Sequence, residues 1–196
     1  NIANLQKVIV PMAKMYHAWA VREKSSGEAT RLKDKFLTLG AELIEKNEWK
    51  KLLQLTELAA QEFDKATLNR EMKKVGVVGE IYLKFNPFAH KHVLDWLMER
   101  GVEVVPPMLT DFFTQFFVNR KTKKNYMTDN DFIPNWIFDK IYFYLKKIVH
   151  LFDIAGSKFR YYIPFNDIFE EAEEGEKIIN MNAQFGEGWL LPAEIA

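Results

Sequence analysis

The feature that most constrains the fold of this chain is a pair of short β-branched runs that flank one helical pattern. The first run covers residues 75–79 and the second covers residues 102–105, each bounded by glycine or proline. Such runs are typical of buried strands. Between them, Asn86 and Pro87 predict a helix start, because Asn caps free N–H groups and Pro tolerates the first helical position. Gly101 predicts the end of that helix, so the segment predicts one βαβ unit.

The segment before this unit carries helical patterns throughout. Apolar residues recur at helical spacing over residues 1–73. Ser25 and Glu28 stand at the spacing of a capping box, and Asn47 is a break in the pattern. Two antiparallel helices joined near Asn47 are therefore expected within this segment.

The segment after the unit is also mainly helical in pattern. Residues 119–130 are polar and basic and predict a loop. Asp131 and Pro134 predict the start of a long helix that ends at Gly156. A short acidic helix is expected over residues 166–174, and a last helix near Trp189.

The fold class expected from these patterns is α/β and rich in helix. A helical segment, residues 1–73, precedes an α/β domain, residues 74–196, that contains the βαβ (Rossmann-like) unit. Two strands alone do not make a stable parallel sheet. Either residues 110–165 hide further strands, or flanking segments of a longer protein complete the sheet.

Composition excludes several classes of function. The 27 basic and 27 acidic residues cancel, which gives no reason to expect a nucleic-acid partner. The chain has no cysteine, so it supplies no disulfide, thiolate metal site or iron–sulfur ligand. No apolar stretch is long enough to span a membrane, and no signal-peptide pattern opens the chain. A cytoplasmic piece of a longer protein is expected, since the chain starts without Met and its last residues resemble an interrupted helix.

The loop at residues 79–85 is the first candidate binding site. It follows the carboxyl end of a predicted strand, and open α/β sheets bind ligands in that crevice. Glu80 is unfavourable for a phosphate there, and the alternative is that Gly76 and Gly79 only permit close packing and a tight turn. His90 and His92 are two apart on the predicted helix, which is not metal-ligand spacing.

A basic cluster at residues 120–124 is the second candidate. Its side chains either meet the phosphates of a coenzyme or an acidic partner, or they form an ordinary solvated loop.

Two stretches of the sequence resemble a known family. Residues 75–89, with the run Gly79-Glu80-Ile81-Tyr82-Leu83-Lys84-Phe85-Asn86-Pro87-Phe88-Ala89, continue to residues 101–107. Residues 185–195 form the second stretch. Both resemble the central region of activase-related proteins of the 2-hydroxyacyl-CoA (2-hydroxyglutaryl-CoA) dehydratase and benzoyl-CoA reductase group.

The resemblance implies a role inside a larger redox protein. Relatives use an ATP-hydrolysing activase to transfer one electron to a [4Fe–4S] cluster, which then acts on an acyl-CoA. This chain contains neither cysteine nor an ATP-binding motif, so cluster and ATP are implied for the parent protein only. The implied partners are the remaining domains of the parent chain and acyl-CoA. The candidate substrate-binding residues are Glu80, Tyr82, Asn86, Gly186, Glu187 and Gly188.

Three functions remain open from the sequence. The first is a scaffold or substrate-side domain of a dehydratase/activase-like protein, inactive alone. The second is a non-catalytic module that binds a CoA ester or a nucleotide. The third is a purely structural interaction domain whose contact surface is the helical face of residues 26–73.

Overall fold

The computed structural model describes residues 2–105, 108–125, 134–182 and 188–195. Nine helices and two strands lie within these ranges. In chain order they are α1 (Ile2–Ala20), α2 (Glu28–Glu45), α3 (Trp49–Lys65), β1 (Lys74–Gly76), α4 (Ile81–Phe85), α5 (Val93–Glu99), β2 (Glu103–Val105), α6 (Leu109–Asn125), α7 (Asn135–Gly156), α8 (Ile168–Glu176) and α9 (Leu190–Ile195). The expectation of a helix-rich chain with a small parallel sheet is therefore confirmed.

The sheet consists of β1 and β2 in parallel, with Lys74 opposite Glu103 and Gly76 opposite Val105. The chain between the two strands contains α4 and α5, as a parallel pair requires a crossover connection. All three residues of β1 are exposed, whereas Glu103 and Val104 of β2 are buried. No further strand lies in the described parts of residues 110–165, so that alternative is not observed there.

The predicted helix start at Asn86 and Pro87 is wrong. A short helix, α4, occupies most of the predicted loop 79–85, and the next helix begins only at Val93. Asn86 does not cap a continuing helix, because its Oδ1 accepts from the N–H groups of Phe88 and Ala89 in a turn. The predicted end of α5 is confirmed: Gly101 has a φ of 71°, the left-handed conformation that favours glycine.

The capping box at Ser25 and Glu28 is also wrong. The residue that caps α2 is Gly27, which offers no side chain. Glu23 replaces the predicted cap, since its two carboxylate oxygens accept from the N–H groups of Gly27 and Ala29, each at 2.9 Å. The break at Asn47 is confirmed, because this residue has a φ of 56° between α2 and α3.

The described chain forms two compact units. Unit 1 comprises residues 1–77, 92–106 and 148–165, and unit 2 comprises residues 78–91, 107–147 and 166–196. The predicted division into domains after residue 73 stays a prediction.

Unit 1 is built around an aromatic core from α1, α2 and α3. The Trp19 ring stacks on Phe63 with centroids 4.6 Å apart, and Phe36 meets Phe63 edge-on at 5.6 Å. All three rings are fully buried. Aromatic pairs in these geometries stabilise a core beyond the area they bury.

Unit 2 is built around the last helix. Trp189 and Leu190 are fully buried, and the Trp189 indole Nε1 donates to Asn119 Oδ1 at 2.6 Å. Gly175 lets α9 approach α8, because a Cβ there would lie 3.1 Å from the Cβ of Ala193.

The predicted loop at residues 119–130 is wrong as far as the structure describes it. Residues 119–125 form the last turns of α6, and residues 126–130 lie outside the described ranges. The long helix is confirmed as α7, which follows Pro134 and ends at Gly156, while Asp131 lies outside the described residues. The predicted acidic helix is confirmed as α8, and the last helix as α9.

Candidate functional site: the surface of helix α4

Glu80 caps the helix that holds most of the predicted site. Its Oε2 accepts from the N–H of Tyr82 at 2.9 Å, and its carbonyl oxygen accepts from the N–H groups of Leu83 and Lys84, also at 2.9 Å. Three N–H groups of this helix start, those of Tyr82, Leu83 and Lys84, are thus already satisfied by Glu80 and are not free to bind an anion. A Cβ on Gly76 would meet nothing within 4 Å, so packing does not require glycine there.

The other predicted site residues differ in how they are placed. Asn86 ends α4 and holds the following turn, while Tyr82 is 68% exposed. Gly188 is half-buried next to Trp189. Gly186 and Glu187 lie outside the described residues. A role of these residues in substrate binding stays a prediction.

A buried ion pair joins the two stretches that carry the family resemblance. Lys84 of α4 is only 3% exposed, and its Nζ lies 2.9 Å from Oε1 and 3.2 Å from Oε2 of Glu194 in α9. The two residues are 110 positions apart in the chain. Sequence reasoning missed this pair, because a lysine is normally solvated and its partner lies 110 positions away in the chain.

Four other side chains of α4 and its following turn form an exposed apolar surface. We call it the α4 surface, and its members are Tyr82 (68% exposed), Leu83 (47%), Phe85 (39%) and Phe88 (86%). A surface helix usually buries its apolar side chains and exposes its lysines, and α4 does the reverse. Exposed large apolar side chains that are close together in the chain are a feature of interaction sites.

Tyr142, Lys146 and Asp167 form a cluster of titratable side chains in unit 2. The Tyr142 hydroxyl donates to Asp167 Oδ1 at 2.6 Å, and Lys146 forms an ion pair with Oδ2 of the same carboxylate. Burial, then the bond to Asp167, raises the pKa of Tyr142. Burial opposes ionisation of Asp167, but its hydrogen bonds outweigh this effect and lower its pKa. Asp167 also caps α8 by accepting from the N–H of Phe169, so the cluster anchors a helix start.

The predicted basic cluster does not form a solvated loop. Arg120 is 6% exposed, and its guanidinium carbon lies 3.9 Å from the centroid of the Phe138 ring. Lys121 lies over the Phe169 ring at 5.0 Å. These cations are arranged against aromatic rings of unit 2, and the phosphate role stays a prediction.

The described residues contain no group of His, Asp and Glu side chains arranged to hold a metal ion. His92 precedes α5 in a left-handed conformation, and its Nδ1 lies 3.3 Å from Asp95 Oδ2. The predicted placement of His90 and His92 within a first helical turn is wrong, because both lie in the turn before α5. Among the described helices, none is long and apolar enough to cross a membrane.

Comparisons of the chain with family models, with curated proteins and with solved structures find no match. The relationship to dehydratase-related proteins therefore stays a prediction from the two sequence stretches. The Lys84–Glu194 pair joins one residue of each stretch within unit 2.

Proposed function

We propose that this chain is a scaffold domain of a 2-hydroxyacyl-CoA dehydratase/activase-like redox protein. On this proposal, the α4 surface is the place where the remaining domains of the parent chain pack. The observation that carries it is the inversion of α4, with Lys84 buried and four apolar side chains exposed.

The energetics of α4 support a covered surface. Burying a lysine is costly unless it is paired, and here the side chains of Lys84 and Glu194 are 1% and 11% exposed. The same helix leaves apolar area in water that would gain about 25 cal/mol per Å² when covered. The Glu194 carboxylate compensates the buried lysine. The exposed apolar area is unfavourable for a freestanding surface helix, and a protein partner over the α4 surface would cover it.

The sheet of unit 1 supports the same proposal independently. Parallel sheets normally occur with both faces covered and with several strands. Here β1 is exposed along its length, and Val75 at its centre is 40% exposed. We propose that β1 and β2 belong to a larger Rossmann-like sheet, completed by another part of the parent protein.

The scaffold role is better supported than a substrate-side role. Two of the predicted substrate ligands, Glu80 and Asn86, already use their side-chain oxygens to hold backbone N–H groups of α4 and its turn. Tyr82, the candidate inside α4, is 68% exposed, and Glu80 at the start of the helix is exposed as well.

The implied cofactors do not fit the residues of this chain. A [4Fe–4S] cluster takes thiolate ligands, and the sequence contains no cysteine. It contains no phosphate-binding glycine loop with its lysine either. Cluster and ATP would belong to other domains of the parent protein.

A split version of the parent protein tests the proposal. The chain is produced with an affinity tag together with the rest of the parent as a separate polypeptide, and co-purification is measured. The wild-type chain is expected to retain the other piece, whereas Phe88→Asp is expected to lose it, because a charge would be placed in an apolar contact.

The matched control is Phe113→Asp, which changes a half-exposed phenylalanine on α6 outside the α4 surface. This variant should retain the other piece, and circular dichroism should show that both variants are folded. Retention by both variants, or failure of the wild-type chain to retain the other piece, would contradict the proposed contact.

A further inference from the structure

Unit 2 contains a cleft of about 310 Å³ between α6 and α8. Its size is at the lower end of the range for small-molecule sites. It is lined by Val118, Lys121, Thr122, Phe169, Ala172, Glu173, Glu176 and Met181. None of these residues belongs to the α4 surface.

The deep part of the cleft is apolar except for one hydroxyl. Val118, Ala172 and Met181 are buried hydrophobic residues. Thr122 lines the same cleft at 8% exposure, and its hydroxyl has no hydrogen-bond partner among the described residues. A threonine in a helix commonly bonds the carbonyl four residues earlier, as Thr114 does with Thr110 here. The Thr122 hydroxyl is therefore available to hydrogen-bond a ligand in the cleft.

Two carboxylates of α8 line the cleft without a counter-ion. Glu173 and Glu176 are three residues apart and so lie on one side of the helix. Neither forms an ion pair or hydrogen bond with another described residue. By contrast, Glu174 between them is paired with Lys177.

The aromatic wall of the cleft already accepts a cation. The Lys121 ammonium lies 5.0 Å from the centroid of Phe169, in a cation–π arrangement. The Phe169 ring face is thus occupied by Lys121, and a ligand ammonium that binds this face takes the place of the Lys121 ammonium.

We infer that this cleft binds a small organic amine, with an ammonium group on a short apolar chain. The ammonium fits the Phe169 face and the two unpaired carboxylates, and the apolar chain fits the floor formed by Val118, Ala172 and Met181. The Thr122 hydroxyl accepts an N–H from the ligand. Phosphate-bearing ligands such as acyl-CoA are disfavoured, because the cleft carries two carboxylates against one lysine.

Titration of the whole chain with n-butylammonium, followed by calorimetry and amide NMR shifts, tests this inference. The comparison ligands are butyrate, 1-butanol and butyryl-CoA. We expect the amine alone to bind and to shift amides of α6 and α8. The double variant E173Q/E176Q should weaken its binding about tenfold, because two charge-assisted contacts are lost. Lys121→Met should strengthen binding, because it frees the ring face.

The matched control is Glu174→Gln, a carboxylate of the same helix that is paired outside the cleft and should leave amine binding unchanged. Amine binding that is equal in E173Q/E176Q and wild type, equal binding of butyrate or butyryl-CoA, or no binding of the amine to a folded chain would each overturn the inference. Phe88→Asp should not change amine binding, so this result is separate from the test of the α4 surface.

Discussion

Replacement of Glu103 by glutamine is expected to lower the free energy of unfolding by about 3–5 kcal/mol, the range for breaking a buried ion pair. The carboxylate of Glu103 in β2 accepts from Nη2 of Arg22 at 2.7 Å, and the two side chains are 1% and 0% exposed. Without the carboxylate, the buried guanidinium keeps its charge and loses its counter-ion. Urea unfolding followed by circular dichroism measures the loss.

The surroundings of Arg22 prevent it from turning to water in this variant. Its Nε donates to the carbonyl of Arg70 at 2.8 Å, and Nη1 donates to the carbonyl of Ala18 at 2.6 Å. The guanidinium also lies over the Tyr161 ring at 4.0 Å. These contacts hold the cation in place, so the lost charge pairing is not replaced by hydration.

The control for this prediction is Glu62→Gln. Glu62 pairs with Lys35 at 3.0 Å, and the two side chains are 32% and 46% exposed. Surface pairs of this kind contribute about 0–1 kcal/mol. If Glu103→Gln and Glu62→Gln lower the free energy of unfolding by the same amount, the Arg22–Glu103 ion pair does not stabilise the fold as a buried pair should.

Replacement of Phe63 by alanine is expected to cost about 3–5 kcal/mol of unfolding free energy, through lost burial and the cavity left behind. Phe63 is 0% exposed and contacts both Trp19 and Phe36 by ring interactions. Its ring therefore joins α1, α2 and α3, and a cavity there loosens all three helices. The same urea experiment measures the change.

Leu58→Ala is the matched control on the same helix. Leu58 is 47% exposed, so most of its side chain is already in water. Surface substitutions of this kind are usually within about 0.5 kcal/mol of wild type. A cost for Phe63→Ala as small as that for Leu58→Ala would contradict the assignment of Phe63 to the centre of the unit 1 core.

Local signals in the sequence predicted much of the secondary structure. The break at Asn47 and the stop at Gly101 depend on a left-handed backbone, which both residues adopt. The acidic helix α8 depends on its cap Asp167, which lies one residue after the predicted start at Asn166. These features depend on a few neighbouring residues, and tertiary contacts did not override them.

The errors arose where two local signals competed. Asn86-Pro87 is a strong helix start, yet Glu80 caps an earlier turn and Asn86 bonds two N–H groups of the turn that follows. At α2, the Glu23 carboxylate accepts from the N–H groups of Gly27 and Ala29. Glu23 lies before Ser25 and Glu28, the pair whose spacing predicted the capping box. Sequence spacing alone does not decide which of two nearby polar side chains reaches a free N–H.

The sequence indicated residues 79–85 as a ligand-binding loop, and that role stays a prediction. The structure places α4 over most of these residues, and the α4 surface overlaps them at Tyr82, Leu83 and Phe85. The pairs Lys84–Glu194 and Arg22–Glu103 are separated by 110 and 81 positions, and periodicity carries no information on such contacts. A charged residue that is buried by a distant partner has the same sequence pattern as one that is solvated.

Hydroxyl-radical footprinting of Phe88, in the isolated chain and in the parent protein, tests most directly whether the α4 surface is a contact surface. Phe88 is 86% exposed here, and Trp96 of α5, at 50% exposed, serves as the internal reference. The proposed scaffold role predicts that oxidation of Phe88 falls several-fold in the parent protein relative to oxidation of Trp96. An unchanged ratio between the two residues would show that the α4 surface remains in water, which would contradict the proposed function.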